Sequence, residues 1–284
     1  MKLHTSLLSA FAAGMALSTS AQAALLAHEP FNYTAGLNLA TQTGGTGFTS
    51  AWTANASDYT AVGGLSYSGL VSTGGAVEVV GNGSWSTSAR RNITSIDTTT
   101  GVIWGSYLIR PDVIGDDGIE IKFGEGAPPG TPNNINWGFA SGMGNGGGTA
   151  PRLDANSNSG AVFGSNLTVG QTHLLVWAYN SASTGDGFFP GDFVAWIDLD
   201  LSLYDVGDPT SFPDPGTASI YKFVGGGQPN IGITQIFGRN TTFTFDEMRV
   251  GSNFASVIPE PSSALLGALG VFAAVGIRRR KSVN

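Results

Sequence analysis

Two glutamates in one short segment are the residues whose types and spacing could do acid–base chemistry. Glu120 and Glu125 stand on either side of Lys122 in the sequence EIKFGE. Retaining hydrolysis of a glycosidic bond needs a nucleophilic carboxylate and an acid carboxyl about 5 to 5.5 Å apart. A lysine between the two favours the charged form of both, whereas the acid has to keep its proton. We therefore predict no catalytic residue here and interpret the segment as the solvent-facing edge of a strand followed by a turn.

Other catalytic signatures are missing from the sequence. Only His28 and His173 remain once a leader peptide containing His4 is removed, and the chain has no cysteine. Histidine-rich and thiolate metal sites need more ligands than these. Neither a nucleophile elbow nor a phosphate-binding glycine loop occurs. We expect a protein that is not an enzyme.

Four aspartates crowd a short stretch after an apolar segment, at Asp198, Asp200, Asp205 and Asp208. Oxygen-only clusters of this kind bind Ca²⁺, which takes about 6 to 8 oxygen ligands. Asp198 and Asp200, two positions apart, would equally well form the solvated face of a strand. Calcium is thus the one cofactor that the sequence suggests, and the solvated strand face is the alternative.

A glycine-rich loop places two aromatic rings between two carboxylates. Phe188 and Phe189 are adjacent, with Asp186 before them and Asp192 after them. If the rings are exposed, they are suited to stack on sugar rings, with the carboxylates beside them to accept from hydroxyl groups. If they are buried, they only close one end of the fold. These four residues are the predicted ligand-binding set.

Short strands are the elements that have to position all of these residues. The 42 glycines of the chain punctuate apolar runs of strand length and composition. Ile119, Ile121 and Phe123 alternate with charged residues, which puts the three apolar side chains on one face. We predict an all-β fold, an antiparallel β-sandwich of jelly-roll type, as one domain over residues 24–256.

Three segments of this domain resemble concanavalin A-like, laminin-G-type jelly rolls. They are His28–Tyr33, the stretch Gly44–Phe48 leading to Trp52, and Phe245–Gly251. The resemblance implies that the first and last strands are neighbours, and broken alternation predicts a bulge near Asp246. Some glucanases of this fold carry Glu, Asp and Glu in a short strand motif. A divergent glycoside hydrolase is therefore the alternative function.

The N-terminus has the three parts of a secretory signal peptide. Lys2 supplies the positive region, Leu7–Leu17 the apolar region, and Ala21–Ala23 an A-x-A cleavage site. We predict cleavage between Ala23 and Ala24, which removes residues 1–23. The mature protein is then exported.

The C-terminus carries three unlike segments in a fixed order. Pro259, Glu260 and Pro261 precede the apolar run 262–277, and the basic residues 278–281 follow it. As one transmembrane helix, the uninterrupted apolar residues 264–277 of this run span roughly 21 Å. The hydrocarbon layer of a membrane is about 30 Å thick, so the run is short for a permanent anchor. Basic residues stay on the cytoplasmic side, so the tripeptide is expected outside the membrane, extended and accessible to a processing enzyme.

Residues 257–284 resemble a bacterial PEP-CTERM sorting signal. The resemblance implies recognition by a membrane-embedded exosortase, in bacteria that make extracellular polysaccharide. The sorting and processing residues that it implies, together with the leader cleavage site, are Ala23, Ala24, Pro259, Glu260, Pro261, Arg278, Arg279 and Arg280. The protein would be tethered to the inner membrane before processing, for a limited time, and would then stand in the cell envelope or outside the cell.

The net charge of the predicted domain disfavours some classes of binding partner. The chain has 13 basic and 20 acidic residues, and without Lys2, Glu260 and the four tail cations 8 and 19 remain, a net charge of -11. Such a domain is a poor partner for nucleic acid or anionic membrane surfaces. We expect a non-catalytic envelope or extracellular-matrix protein that binds carbohydrate weakly, with extracellular polysaccharide as the partner.

Overall fold

The computed structural model describes residues 24–258 except 55–56, 71, 73, 82–87, 114–117, 126–136, 144–148, 156–161, 182–186, 206–207, 209, 225–229 and 239. At 125, 137–143, 154–155 and 162–163 it describes the backbone alone. The strands within these residues are β1 (Leu25–Glu29), β2 (Tyr59–Gly63), β3 (Gly75–Val80), β4 (Ser88–Ile96), β5 (Val102–Val113), β6 (Ile119–Glu125), β7 (Trp137–Met143), β8 (Pro151–Ala155), β9 (Val162–Phe163), β10 (His173–Asn180), β11 (Asp192–Ile197), β12 (Ile220–Phe223), β13 (Ile231–Gly238) and β14 (Thr242–Gly251). Short 3-10 helices cover Thr98–Thr100, Leu201–Leu203 and Pro215–Thr217, and one α-helical turn, α1, covers Phe254–Val257.

The strands form two antiparallel sheets. The eight-stranded sheet has the order β12-β11-β10-β5-β14-β3-β2, with β1 also paired to β14, and the six-stranded sheet has the order β4-β13-β6-β7-β8-β9. The predicted antiparallel β-sandwich is confirmed. The pairing of β1 with β14 also confirms that the first and last strands are neighbours.

The main apolar core lies between the two sheets. Ile119, Ile121 and Phe123 are buried in it, as their alternation predicts. Trp177 joins the same core from β10, with its ring centroid 5.0 Å from that of Phe123. Every residue of β10 is buried, which fits its near-continuous apolar sequence.

A second apolar cluster covers the opposite, outer face of the eight-stranded sheet. Trp104 and Trp196 stack there with ring centroids 5.6 Å apart. Leu65 and Phe254 cover them from neighbouring segments of the chain. Because this sheet is buried on both faces, β11 carries large apolar side chains at successive positions, with Phe193 inward and Val194 outward.

A buried ion pair joins the first strand to the six-stranded sheet. Arg91 of β4 donates from Nη1 to Glu29 Oε2, which also accepts from the Tyr33 hydroxyl and from Trp52 Nε1, each at 2.9 Å. The Phe31 N–H donates to Glu29 Oε1 at 3.0 Å. Both oxygens are therefore satisfied within the fold, as a buried charge requires. These contacts join Glu29, Tyr33 and Trp52, which lie in two of the three jelly-roll-like segments.

The bulge predicted near Asp246 is confirmed. The register between β14 and β5 shifts between Asp246 and Arg249, and Glu247 has a left-handed φ of 51°. The buried Asp246 carboxylate accepts from the N–H of Leu65 at 2.8 Å and from the N–H of Glu247 at 2.6 Å. Glu247 in turn contacts His28 Nε2 at 2.8 Å and Arg249 Nη2 at 2.9 Å. The extra residue shifts the alternation by one position, so that Met248 and Val250 lie in the same core as Phe243 and Phe245.

Gly105→Ala is expected to lower the free energy of unfolding by about 1 to 3 kcal/mol, because the position is overpacked. A Cβ at Gly105 would stand 2.1 Å from Cζ2 of Trp177, the buried residue directly opposite on β10. Gly232→Ala is the matched control, since no atom lies within 4 Å of the added Cβ there. Equal denaturant midpoints for the two variants would contradict this account of the packing.

Candidate functional site

The two adjacent phenylalanines of the predicted ligand loop have opposite environments. Phe188 is buried against Trp104, edge to face, with ring centroids 5.8 Å apart. Phe189 is 70% exposed. Asp186 lies outside the described residues. Only one of the two predicted rings is therefore available to a ligand in solvent, and the other belongs to the second apolar cluster.

Asp192 is a positioning residue. Its carboxylate is buried and accepts from the Phe189 N–H at 2.7 Å and from the Tyr221 hydroxyl at 2.9 Å. Burial raises the pKa of Tyr221, and the hydrogen bond to Asp192 adds to the shift. Both oxygens of Asp192 already accept a hydrogen bond from the protein, and a direct contact of this carboxylate with a ligand stays a prediction. It fixes the places of an exposed phenylalanine and an exposed tyrosine.

Three exposed aromatic side chains lie together at the edge of the eight-stranded sheet. Tyr221 and Phe223, on β12, are 52% and 64% exposed. They stand opposite Val194 and Asp192 of β11, so they lie on the outer face of the sheet. The Phe189 N–H and the Tyr221 hydroxyl donate to the same Asp192 carboxylate, so the backbone of the loop that carries Phe189 lies beside β12. We call Phe189, Tyr221 and Phe223 the aromatic patch.

Sequence reasoning missed two members of the aromatic patch. The sequence Ile220–Phe223 is typical of a strand, and the alternation of its side chains could have predicted that Tyr221 and Phe223 are exposed. Ile220 is in the core between the sheets and Tyr221 and Phe223 are exposed. In an alternating strand the face opposite a core isoleucine is the solvent face. Aromatic residues at those positions are unusual for a surface that only has to be soluble.

The four aspartates that were predicted as calcium ligands lie in separate local structures, and Asp198, Asp200 and Asp208 accept hydrogen bonds there. Asp198 Oδ2 accepts from His173 Nδ1 at 2.6 Å, and Asp198 Oδ1 accepts from the Leu174 N–H at 3.0 Å. Asp200 caps the 3-10 helix at Leu201–Leu203, and Asp208 accepts from the N–H and hydroxyl of Thr210. These hydrogen bonds lower the pKa of Asp200 and of Asp208.

The remaining predicted calcium ligand is exposed. Asp205 lies between these capping residues, and its N–H donates to the Ser211 hydroxyl. Across the described ranges, no group of three or more His, Cys, Asp or Glu side chains is arranged to hold a metal ion. The shared strand face proposed for Asp198 and Asp200 is wrong, because β11 ends at Ile197 and Asp198 has a left-handed φ of 53°. Calcium binding by these aspartates stays a prediction.

Glu120 is buried in the interior of the six-stranded sheet, and its interpretation as a solvent-facing edge residue is wrong. β6 pairs with β13 on one side and β7 on the other. Lys122 Nζ lies 2.8 Å from Glu120 Oε2, and Arg152 Nη2 lies 2.7 Å from Glu120 Oε1. Two cations thus contact the carboxylate, an arrangement that stabilises a buried charge. The side chain of Glu125 lies outside the described part.

The first described residue lies beside the segment that follows β14. Ala24 donates from its N–H to the Ser252 hydroxyl at 3.1 Å, and the Ser252 N–H donates to the Ala24 carbonyl at 3.0 Å. Ala23, the tripeptide Pro259–Pro261, the run 262–277 and the arginines 278–280 lie outside the described residues. Within the part of the chain that is described, no helix is long and apolar enough to cross a membrane.

Several solved structures have a similar arrangement of strands at low sequence identity. The globular domain of T. cruzi calreticulin aligns with a TM-score of 0.41 and 10% identity, over 82% of this chain and 95% of that one. The carbohydrate recognition domain of Emp46p aligns with a TM-score of 0.41 and 9% identity, over 72% of this chain and 88% of that one. A sialidase aligns with a TM-score of 0.38 and 10% identity, over 63% of this chain and 15% of that one.

Comparison with protein families identifies a motif at the C-terminus. No curated protein matches the chain at a significant level. Residues 257–281 match the PEP-CTERM protein-sorting motif. This match confirms the sorting signal that the Pro-Glu-Pro tripeptide, the apolar run and the arginine cluster predict. The chain is therefore an exported protein that carries a PEP-CTERM sorting signal at its C-terminus.

Proposed function

We propose that this protein is a non-catalytic component of the cell envelope or extracellular matrix that binds polysaccharide weakly through the aromatic patch. An exosortase-type protease is its partner during export, and the membrane tether at its C-terminus is temporary. The single observation that carries the binding proposal is the exposure of Phe189, Tyr221 and Phe223, two of which hydrogen-bond to the same Asp192 carboxylate.

The exposure of the three rings is hard to explain by folding alone. Large apolar side chains are stabilised by burial, and contiguous exposed apolar surface marks binding sites more often than isolated residues do. The neighbouring Phe188 shows that the same loop buries an aromatic ring where packing requires it. A ligand with apolar faces and hydroxyl edges, such as a sugar ring, would cover the rings while its hydroxyl groups stay in water.

Asp192 holds two members of the aromatic patch in place before a ligand binds, which supports the binding proposal. Asp192 holds the backbone of Phe189 and the hydroxyl of Tyr221, so little conformational freedom of these elements has to be lost on binding. The acidic balance of the domain, with 20 acidic against 13 basic residues in the whole chain, favours a neutral or basic polysaccharide over an anionic one.

The test is a glycan and polysaccharide binding screen of residues 24–258, with calcium and with a chelator in parallel. We expect binding to neutral polysaccharides that persists when calcium is removed, because the aromatic patch contains no metal ligand. Binding that disappears with the chelator would assign recognition to the aspartates 198–208 instead. Uniformly absent binding would overturn the carbohydrate proposal and leave a structural role.

A further inference from the structure

A buried strap connects the sandwich to the sorting signal. We define the strap as Phe254–Ile258, which contains α1. The Phe254 ring packs against Trp104 and Tyr204, with ring centroids 5.5 and 5.3 Å apart. Val257 and Ile258 are also buried, and Ile258 is only 3% exposed. The strap is thus part of the apolar cluster on the outer face of the eight-stranded sheet.

Polar contacts fix the strap as well. The Ser106 hydroxyl, on β5, donates to the Val257 carbonyl at 2.5 Å. The Ser256 N–H donates to the Asn253 side chain at 2.9 Å, and the Ser256 hydroxyl donates to the Asn253 carbonyl at 2.7 Å. The chain is therefore held, by side chain and backbone, up to the residue before Pro259.

The strap leaves the fold beside the N-terminus of the mature protein. Ser256 Oγ and the Ala24 carbonyl lie 2.0 and 3.1 Å from the point where a Cβ on Gly251 would stand. The segments on either side of the domain that are predicted to enter the membrane therefore start from the same end of the sandwich. Pro259–Pro261 alone separate the buried Ile258 from the apolar run, a reach of about 11 Å at most. In the sequence, only three residues thus separate the folded domain from the predicted membrane segment.

We infer that opening of the strap limits the rate at which the sorting tail is removed. The inference rests on the proposed processing of the tail. The cut breaks one amide bond beside the tripeptide; water supplies a hydroxyl group to the acyl carbon, and the released amine takes the proton. A protease binds an extended segment on both sides of the bond that it cuts, and buried segments are cut only after local opening. Val257 and Ile258, directly before the tripeptide, are buried, and the Val257 carbonyl accepts a hydrogen bond from Ser106.

The experiment follows tail removal from the full-length chain in an exosortase-bearing bacterium, by pulse labelling and mass measurement of the C-terminus. Insertion of a six-residue Gly-Ser spacer between Ile258 and Pro259 leaves the strap in place and frees the tripeptide. Phe254→Ala removes the central anchor of the strap. We expect each change to speed tail removal by about tenfold or more, because truncation of a buried phenylalanine weakens packing strongly.

Val113→Ala is the control, since it truncates an apolar side chain that is 58% exposed and lies outside both the strap and the aromatic patch, and its rate is expected to equal that of the wild type. The spacer variant keeps the test valid if Phe254→Ala does not fold. Unchanged or slower removal in the spacer variant overturns the inference while leaving processing in place. A tail that is retained in every variant, the wild type included, overturns the proposed processing and this inference together.

Discussion

Glu29→Gln is expected to lower the free energy of unfolding by about 3 to 5 kcal/mol, because it leaves the Arg91 guanidinium buried without a counter-charge. The carboxylate is fully buried, and it accepts from Arg91, Tyr33, Trp52 and the Phe31 N–H. An amide has one acceptor oxygen where the carboxylate has two, so at least one of the donors also loses its partner. Urea unfolding followed by tryptophan fluorescence measures the change.

Asp112→Asn is the matched control, because it removes the carboxylate of an ion pair that is not fully buried. The pair between Arg110 and Asp112 is partly exposed, with side chains 36% and 19% accessible. Exposed pairs contribute about 0 to 1 kcal/mol, so the control should lose far less stability than Glu29→Gln. Comparable losses in the two variants would contradict the view that the buried pair organises the N-terminal segment.

The pH dependence of unfolding should carry a large contribution from Asp246. Burial raises the pKa of Asp246 from 3.8 to about 7, and the Glu247 charge adds to the shift, while the hydrogen bond from Leu65 opposes it. The native state therefore binds this proton more tightly than the unfolded state does. The contribution is favourable below the unfolded pKa and is lost as the pH rises from about 4 to about 7. Its size is roughly 4 kcal/mol, from about 1.4 kcal/mol per pKa unit.

Asp246→Asn isolates this contribution from those of the other carboxyl groups. The free energy of unfolding of both proteins is measured by urea titration at pH 4, 5.5, 7 and 8 (chosen to bracket the shift). At pH 4 the wild-type side chain is a neutral acid and asparagine is its neutral counterpart, so the difference in stability between the two proteins has its pH-independent value there. Between pH 4 and about pH 7 the wild type should lose roughly 4 kcal/mol relative to the variant, and the difference should stay constant above about pH 7. Parallel curves would show that Asp246 titrates normally.

Features set by local spacing could be predicted from the sequence. The alternation of Ile119, Ile121 and Phe123 is confirmed because a strand exposes successive side chains to opposite faces whatever its partners are. The bulge at Asp246 is confirmed because broken alternation in a strand has few other causes. Burial of Trp104, Trp177 and Trp196 follows from their place inside apolar runs.

Features set by contacts across the chain could not be predicted. The burial of Glu120 depends on Arg152, which reaches it from a different strand of the same sheet. The opposite environments of Phe188 and Phe189 depend on Trp104, which covers only one of the two rings. The exposure of Tyr221 and Phe223 follows from the alternation of β12, but their place near the loop of Phe189 depends on β12 pairing with β11, and no local sequence pattern specifies that pairing.

The most direct test of the central claim is the affinity of the aromatic patch for a polysaccharide that the binding screen identifies, measured by isothermal titration. Removing two rings in the double variant Phe189→Ala, Phe223→Ala should weaken binding by about tenfold to a hundredfold, at about 0.5 to 1.5 kcal/mol per ring beyond lost area. Leu203→Ala, which truncates a side chain that is 72% exposed outside the aromatic patch, should bind like the wild type. Wild-type affinity in the double variant would contradict carbohydrate recognition at this site.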